Sequence, residues 1–89
     1  MQEKLEILIH TLGEIIKEHR ISSGKSIYKI SAESAIPKST WRRIEQGCHK
    51  DICLTSLWKI SDGLEMQPEL LIKELREKLG NNFSLSEDD

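Results

Sequence analysis

Between Lys38 and Gln46 the chain reads Lys-Ser-Thr-Trp-Arg-Arg-Ile-Glu-Gln. On a helix turning about 100° per residue, Lys38, Arg42, Gln46, Ser39 and Arg43 fall within one arc of roughly 140°. Trp41 and Ile44 fall on the opposite side, near ~300° and ~240°. Such an element is anchored by two large apolar residues and presents long hydrogen-bond donors outward. An α-helix fits the major groove of B-DNA, where Arg and Lys donate to guanine O6 and N7 and Gln pairs with adenine. An ordinary solvated basic face is the plain alternative, and the residues between Lys38 and Gln46 do not by themselves separate the two.

The elements that must position this arc follow from apolar periodicity. Leu5, Leu8, Ile9, Leu12, Ile15 and Ile16 lie three and four apart and predict a long amphipathic helix over 5–21, stopped by Ser22-Ser23-Gly24. Ser26 is a suitable N-cap for a second helix, Ile27 to about Ala35, with Ile27, Ile30, Ser31 and Ser34 along one side. Ile36-Pro37 interrupts it, because the residue before proline disfavours the helical region. A third helix starts at Pro37 or Lys38 and stops at Gly47. A loop over 48–53 precedes a fourth helix, about Leu54–Leu64, with Leu54, Leu57, Trp58, Ile60 and Leu64 as its expected buried set. Pro68 opens a fifth, Pro68–Leu79, with Leu71, Ile72, Leu75 and Leu79 as apolar positions and Gly80 at its end. The expectation is an all-α domain over 1–80 with an N-terminal helical extension, followed by an acidic, disordered tail over 81–89.

Other chemistry is poorly supplied. Cys48, His49 and Cys53 invite a metal reading, but a structural zinc site needs four ligands at paired short spacings and no second pair exists. The loop is expected to be polar with free thiols, one turned inward. His10 and His19 lie nine apart on the first helix, a poor ligand spacing, and read as surface or boundary residues. No Ser/His/Asp set, phosphate-cradling glycine loop or carboxylate pair suggests an enzyme. Neither metal nor cofactor is expected.

The chain has 89 residues, 31% charged, 4% aromatic and without valine. That suits one small helical domain better than a sheet protein. No apolar run approaches the length of a membrane span, and a cytoplasmic protein with no membrane partner is expected. The net charge of −2 argues by itself against a nucleic-acid partner. It conceals three unequal blocks. Residues 17–50 hold five Lys and three Arg against three Glu, net +5, while 1–16 carry −2 and 51–89 carry −5. The positive block coincides with the second and third helices and calls for an anionic partner there.

The run from Ser26 to Gly47 resembles the helix-turn-helix of the Cro/repressor, or Xre-type, regulators. That family shows Ser-Gln-x-x-Leu-Ala, a short turn, then Ser-Thr-Ile/Leu-x-x-Ile-Glu-x-Gly. Leu12-Gly13, Ile16 and Arg20 look like its first helix, Leu54-x-x-Leu57-x-Lys59-Ile60 and Leu64 like its fourth, and Pro68-Glu69-Leu70-Leu71 like the start of its fifth. The resemblance spans about two thirds of the chain. It implies a compact five-helix, lambda-repressor-like domain whose second helix crosses the phosphate backbone while the third enters the major groove.

By that resemblance Lys38, Ser39, Arg42 and Arg43 are base-reading residues, Ser26, Tyr28, Gln46 and Lys50 are phosphate-binding, and Arg20 and Glu45 form a structural salt bridge between the first and third helices. Trp41 is read as core, and Trp58 is left open between core and a dimer contact. Three residues depart from the family pattern. Ile27 stands where the family has a phosphate-binding Gln, and Ser31 stands where a small alanine is usual. Ala35 stands where a turn glycine is usual, at a cost of about 1 kcal/mol if the turn is left-handed.

The resulting expectation is a sequence-specific transcriptional regulator, a repressor, that binds a double-stranded operator as a homodimer. The dimer surface is assigned either to the fifth helix or to the Leu5, Leu8, Leu12, Ile15 stripe, with packing of that stripe on the chain's own fifth helix somewhat favoured. The alternative is a protein-interaction module such as an antitoxin, contacting a protein partner through the acidic C-terminal third.

Overall fold

In the computed structural model, residues 2–86 are described, and the notional tail residues 87–89 lie outside them. Five helices and no strands make up the described chain: α1 (Gln2–Ser22), α2 (Ile27–Ser34), α3 (Lys38–Glu45), α4 (Leu54–Leu64) and α5 (Pro68–Leu79). α1 is the scaffold. It packs on α3, α4 and α5, while α2 packs on α3 and α4. The core is formed by Leu12, Ile15, Ile16, Ile30, Ile36, Trp41, Ile44, Ile60, Leu64, Leu71 and Leu75, drawn from all five helices and the α2–α3 turn. The stripe on α1 therefore faces inward, and Leu8 lies partly buried against the same core. Leu5 and Leu8 line a groove with Ile72 and Leu75 of α5, as expected for packing within one chain.

Helix ends follow local chemistry. The Ser26 hydroxyl accepts the Lys29 N–H at 3.0 Å and caps α2. At the other end Ala35 adopts φ 60°, ψ 35°, the left-handed conformation the turn demands. Its N–H and that of Ile36 both return to the Ser31 carbonyl. An L-residue with a Cβ pays about 1–2 kcal/mol for this conformation. Here the buried Ile36 that follows and the close α2–α3 packing hold it in place.

The structure corrects two expectations about burial. Leu54 and Trp58 do not belong to the buried set of α4: Leu54 is 70% exposed and Trp58 54%. In an isolated helix they extend the apolar stripe, but α2 and α1 cover only the side that carries Ile60, Ser61, Gly63 and Leu64. Neither thiol turns inward. Cys48 and Cys53 are both free and exposed. Cys53 caps α4, where the Ser56 hydroxyl at 3.4 Å and the Ser56 and Thr55 amides lower its thiol below the usual 9.0.

Candidate nucleic-acid interface

The donor arc forms as its spacing requires. Trp41 and Ile44 are fully buried, whereas Lys38, Ser39, Arg42, Arg43 and Gln46 are exposed. α3 is fixed from beneath in three ways. Trp41 fills the core, and its indole Nε1 donates to Glu45 Oε2 at 2.6 Å. Arg20 on α1 reaches the same carboxylate in a two-pronged pair, Nε to Oε2 at 2.5 Å and Nη2 to Oε1 at 3.1 Å. The third guanidinium nitrogen donates to the Lys25 carbonyl at 2.9 Å. The backbones of α1 and α3 also touch. A Cβ at Gly13 would run into the carbonyl oxygens of Ile44 and Glu45. Glycine at 13 is thus a requirement of close approach, not of a special backbone angle.

Lys25 is a member of this framework that the sequence did not single out. Its side chain is only 9% exposed, and its ammonium donates to the Gly63 carbonyl of α4 at 2.8 Å and pairs with Glu33 of α2 at 2.7 Å. Glu65 lies 3.7 Å away. The hydrogen bond with Glu33 raises the lysine above its ordinary 10.5 and lowers the Glu33 carboxyl below 4.5. A lysine between a Gly turn and a capping serine looks like a surface residue, and only the return of α4 reveals its partners. His19 is similar: it stands at the α1–α5 boundary with Nε2 2.6 Å from Glu74 Oε1.

These ties have an electrostatic consequence for the positive block. Two of its three glutamates, Glu33 and Glu45, are committed to Lys25 and Arg20. Among the described residues no carboxylate lies within ion-pair distance of Lys29, Lys38, Arg42, Arg43 or Lys50. The structure thus spends the buried cations on the acids and leaves the exposed cations free. Lys29 joins the exposed set although the sequence reading had passed over it.

The residues expected to meet phosphates have mixed settings. Gln46 and Lys50 are exposed and flank α3 on its C-terminal side. Ser26 is exposed, but its hydroxyl is engaged in the α2 cap. Tyr28 is 67% exposed on α2, and its ring carries the Lys38 ammonium 4.9 Å from the centroid. Beneath them Ser31 is buried, and its hydroxyl has no hydrogen-bond partner. Ile27, in place of a polar side chain, packs partly buried against the core.

An α2–turn–α3 unit of this kind, braced by α1, also occurs in solved structures. The controller protein C.AhdI from Aeromonas hydrophila, of a restriction-modification system, superposes with a TM-score of 0.67 over 71% of this chain and 94% of its own, at 22% identity. Wild-type C.Esp1396I, another restriction-modification controller protein, gives 0.73 over 81% and 92%, at 21% identity. This chain has the helix-turn-helix fold of the restriction-modification controller proteins. At this identity the fold is what the likeness carries. No protein-family model and no curated protein matches the chain. Among the described residues no three His, Cys, Asp or Glu side chains gather as a metal site would need. No described helix is long and apolar enough to cross a membrane.

Proposed function

We propose that the chain is a sequence-specific DNA-binding transcriptional regulator that inserts α3 into the major groove. The observation that carries this reading is the charge sorting around α3. Lys38, Arg42 and Arg43 are exposed with no carboxylate partner among the described residues, while Glu33 and Glu45 of the same segment are tied to Lys25 and Arg20. Counterion release by such a face supplies sequence-independent attraction, and base edges supply discrimination. Lys38, Ser39, Arg42 and Arg43 are the base readers, with Tyr28, Gln46, Lys50 and the Ser26 end of α2 on the phosphates. The shared fold with restriction-modification controllers favours a regulatory role over an enzymatic one. Repression, by occupying an operator, is the simplest action for a single small domain of this kind.

A homodimer completes the reading. Trp58 and Leu70 border one cleft with Met66 and Pro68, and both are more than half exposed. They sit on α4 and α5, which contribute nothing to the basic arc, so a two-fold pair joined there leaves both arcs free. Half-sites then lie about 34–36 Å apart along the duplex. The test is Arg43→Ala, measured by fluorescence anisotropy on an enriched site and on unrelated DNA. A loss of about 1–3 kcal/mol on the site alone supports base reading. Equal losses on both duplexes would reject it.

A further inference from the structure

We infer that Tyr28 is the positioning residue for Lys38, and that it fixes the base step this lysine reads. The inference rests on the DNA-binding reading above and goes beyond it by assigning the direction of one side chain on α3 to a residue of α2.

Lys38 is the first residue of α3. A helix start carries partial positive charge from its unpaired N–H groups, so an ammonium there is electrostatically disfavoured. The first turn of α3 holds no acidic residue, and its N-cap, Pro37, makes no side-chain cap. Among the described residues no carboxylate pairs with Lys38. A flexible four-carbon stem in that setting has many rotamers and no reason to choose one. The structure supplies the reason. The ammonium lies 4.9 Å from the Tyr28 ring centroid, inside the range in which the negative face of an aromatic ring attracts a cation.

The surroundings leave this contact uncontested. Tyr28 and Lys38 border a cleft between α2 and α3 whose other walls include the small side chains Ala32, Ala35 and Pro37. The lining includes no carboxylate, and the Ser31 hydroxyl that also borders it is buried and makes no bond to the lysine. The position of the ring is itself set by the turn: the left-handed Ala35 brings the start of α3 back beside α2. Tyr28 is one helical turn from Ala32, so the phenol ring leans over the same cleft. The lysine is therefore held on the α2 side of the arc, where α2 meets the backbone, and approaches base edges from that side only. Tyr28 thus acts through Lys38 and need not touch a base.

Five proteins test this: wild type, Tyr28→Leu, Tyr28→Phe, Lys38→Ala and the Tyr28→Leu/Lys38→Ala double variant. Tyr28 and Lys38 are exposed, and circular dichroism confirms that each variant is folded. Binding is measured on the preferred duplex and on a panel with every base pair changed in turn. Lys38→Ala identifies the step that Lys38 reads. Tyr28→Leu is expected to reduce discrimination at that same step by about two- to five-fold, the range of an exposed cation–π contact. It should leave discrimination at the other positions unchanged, and in the Lys38→Ala background it should cause no further loss of discrimination at that step. Tyr28→Phe keeps the ring and should keep wild-type discrimination at that step, any loss of the phosphate contact of its hydroxyl being uniform over the panel. A Tyr28→Leu variant that loses affinity uniformly while keeping full discrimination at the Lys38 step would overturn the inference and make Tyr28 a backbone contact alone. A wild type without preference for any duplex would instead overturn the DNA-reading proposal beneath it.

Discussion

The α2–α3 face and the α4–α5 face expose opposite kinds of surface. On the first, Lys29, Lys38, Arg42 and Arg43 are exposed, with no carboxylate of the described residues within ion-pair distance, and the large apolar residues Ile30, Ile36, Trp41 and Ile44 are buried. On the second, Leu54, Trp58, Leu70 and Ile72 are exposed, beside acids such as Glu69 and Glu77. One face has its charges sorted by pairing: Glu33 and Glu45 are tied to the little-exposed Lys25 and Arg20, and the cations of the arc lie outside. The other has its apolar residues left over, because the single core is already filled. A domain of 89 residues cannot bury all its apolar surface. What differs is which residue types are left outside. The basic face thus depends on the Arg20–Glu45 and Lys25–Glu33 pairs beside it, whereas the apolar face has no such support.

The strongest way to break that contrast is to remove its buried anchor. Glu45→Ala strands Arg20, whose side chain is 13% exposed, and deprives the Trp41 indole of its acceptor. A loss of about 3–5 kcal/mol is expected in urea unfolding. Glu77→Ala on the other face should change stability by less than about 0.5 kcal/mol. Similar losses at both positions would erase the distinction.

The apolar face is tested by Trp58→Ser. If this face joins two copies, the dimer dissociation constant should rise by at least about tenfold in analytical ultracentrifugation, with little change in unfolding. A wild-type chain that stays monomeric at high concentration, or a variant with unaltered association, would remove the dimer from this face. Ser31→Ala is a gentler change under the basic face. It deletes a buried hydroxyl without a partner, and a gain of about 1 kcal/mol is expected, seen as a higher Tm.

The smallest effect is a pH dependence at the edge of the same framework. Lys25 holds the Glu33 carboxyl below its ordinary 4.5, so the folded chain binds that proton less readily than the unfolded one. The stabilisation is present above about 4.5 and fades as pH falls through the depressed value. For Lys25, raised above 10.5 by the same bond, it is present below about 10.5 and is lost as pH rises through the elevated value. The difference in urea midpoint between wild type and Glu33→Gln should therefore be flat near neutrality and shrink at both extremes. A difference that grows on acidification would contradict the pairing.

Much of this was legible in the sequence because it depends on local spacing. The period of α1, the caps at Ser26 and Gly47, and the division of α3 into a donor arc and a Trp41/Ile44 anchor all follow from residues within one helix. The left-handed turn at Ala35 and the Arg20–Glu45 pair follow from the family resemblance. What escaped depends on which helix returns to cover which face. Lys25 meets the Gly63 carbonyl only because α4 packs on α2, and Leu54 and Trp58 stay outside because nothing packs on their side of α4. Both cysteines face outward for the same reason: the 48–53 loop skirts the core, and only Ile52 packs partly against it. The contact between Tyr28 and Lys38 lies between these cases, ten residues apart in sequence and joined by a turn whose geometry is local.

The central claim is that the exposed, unpaired arc on α3 reads DNA sequence, and binding-site selection from random duplexes at two salt concentrations tests it most directly. Enrichment of a two-fold related site is expected, with affinity falling steeply as salt rises because several cations each displace counterions. A pool that stays random, with affinity barely changed between the two salts, would contradict it.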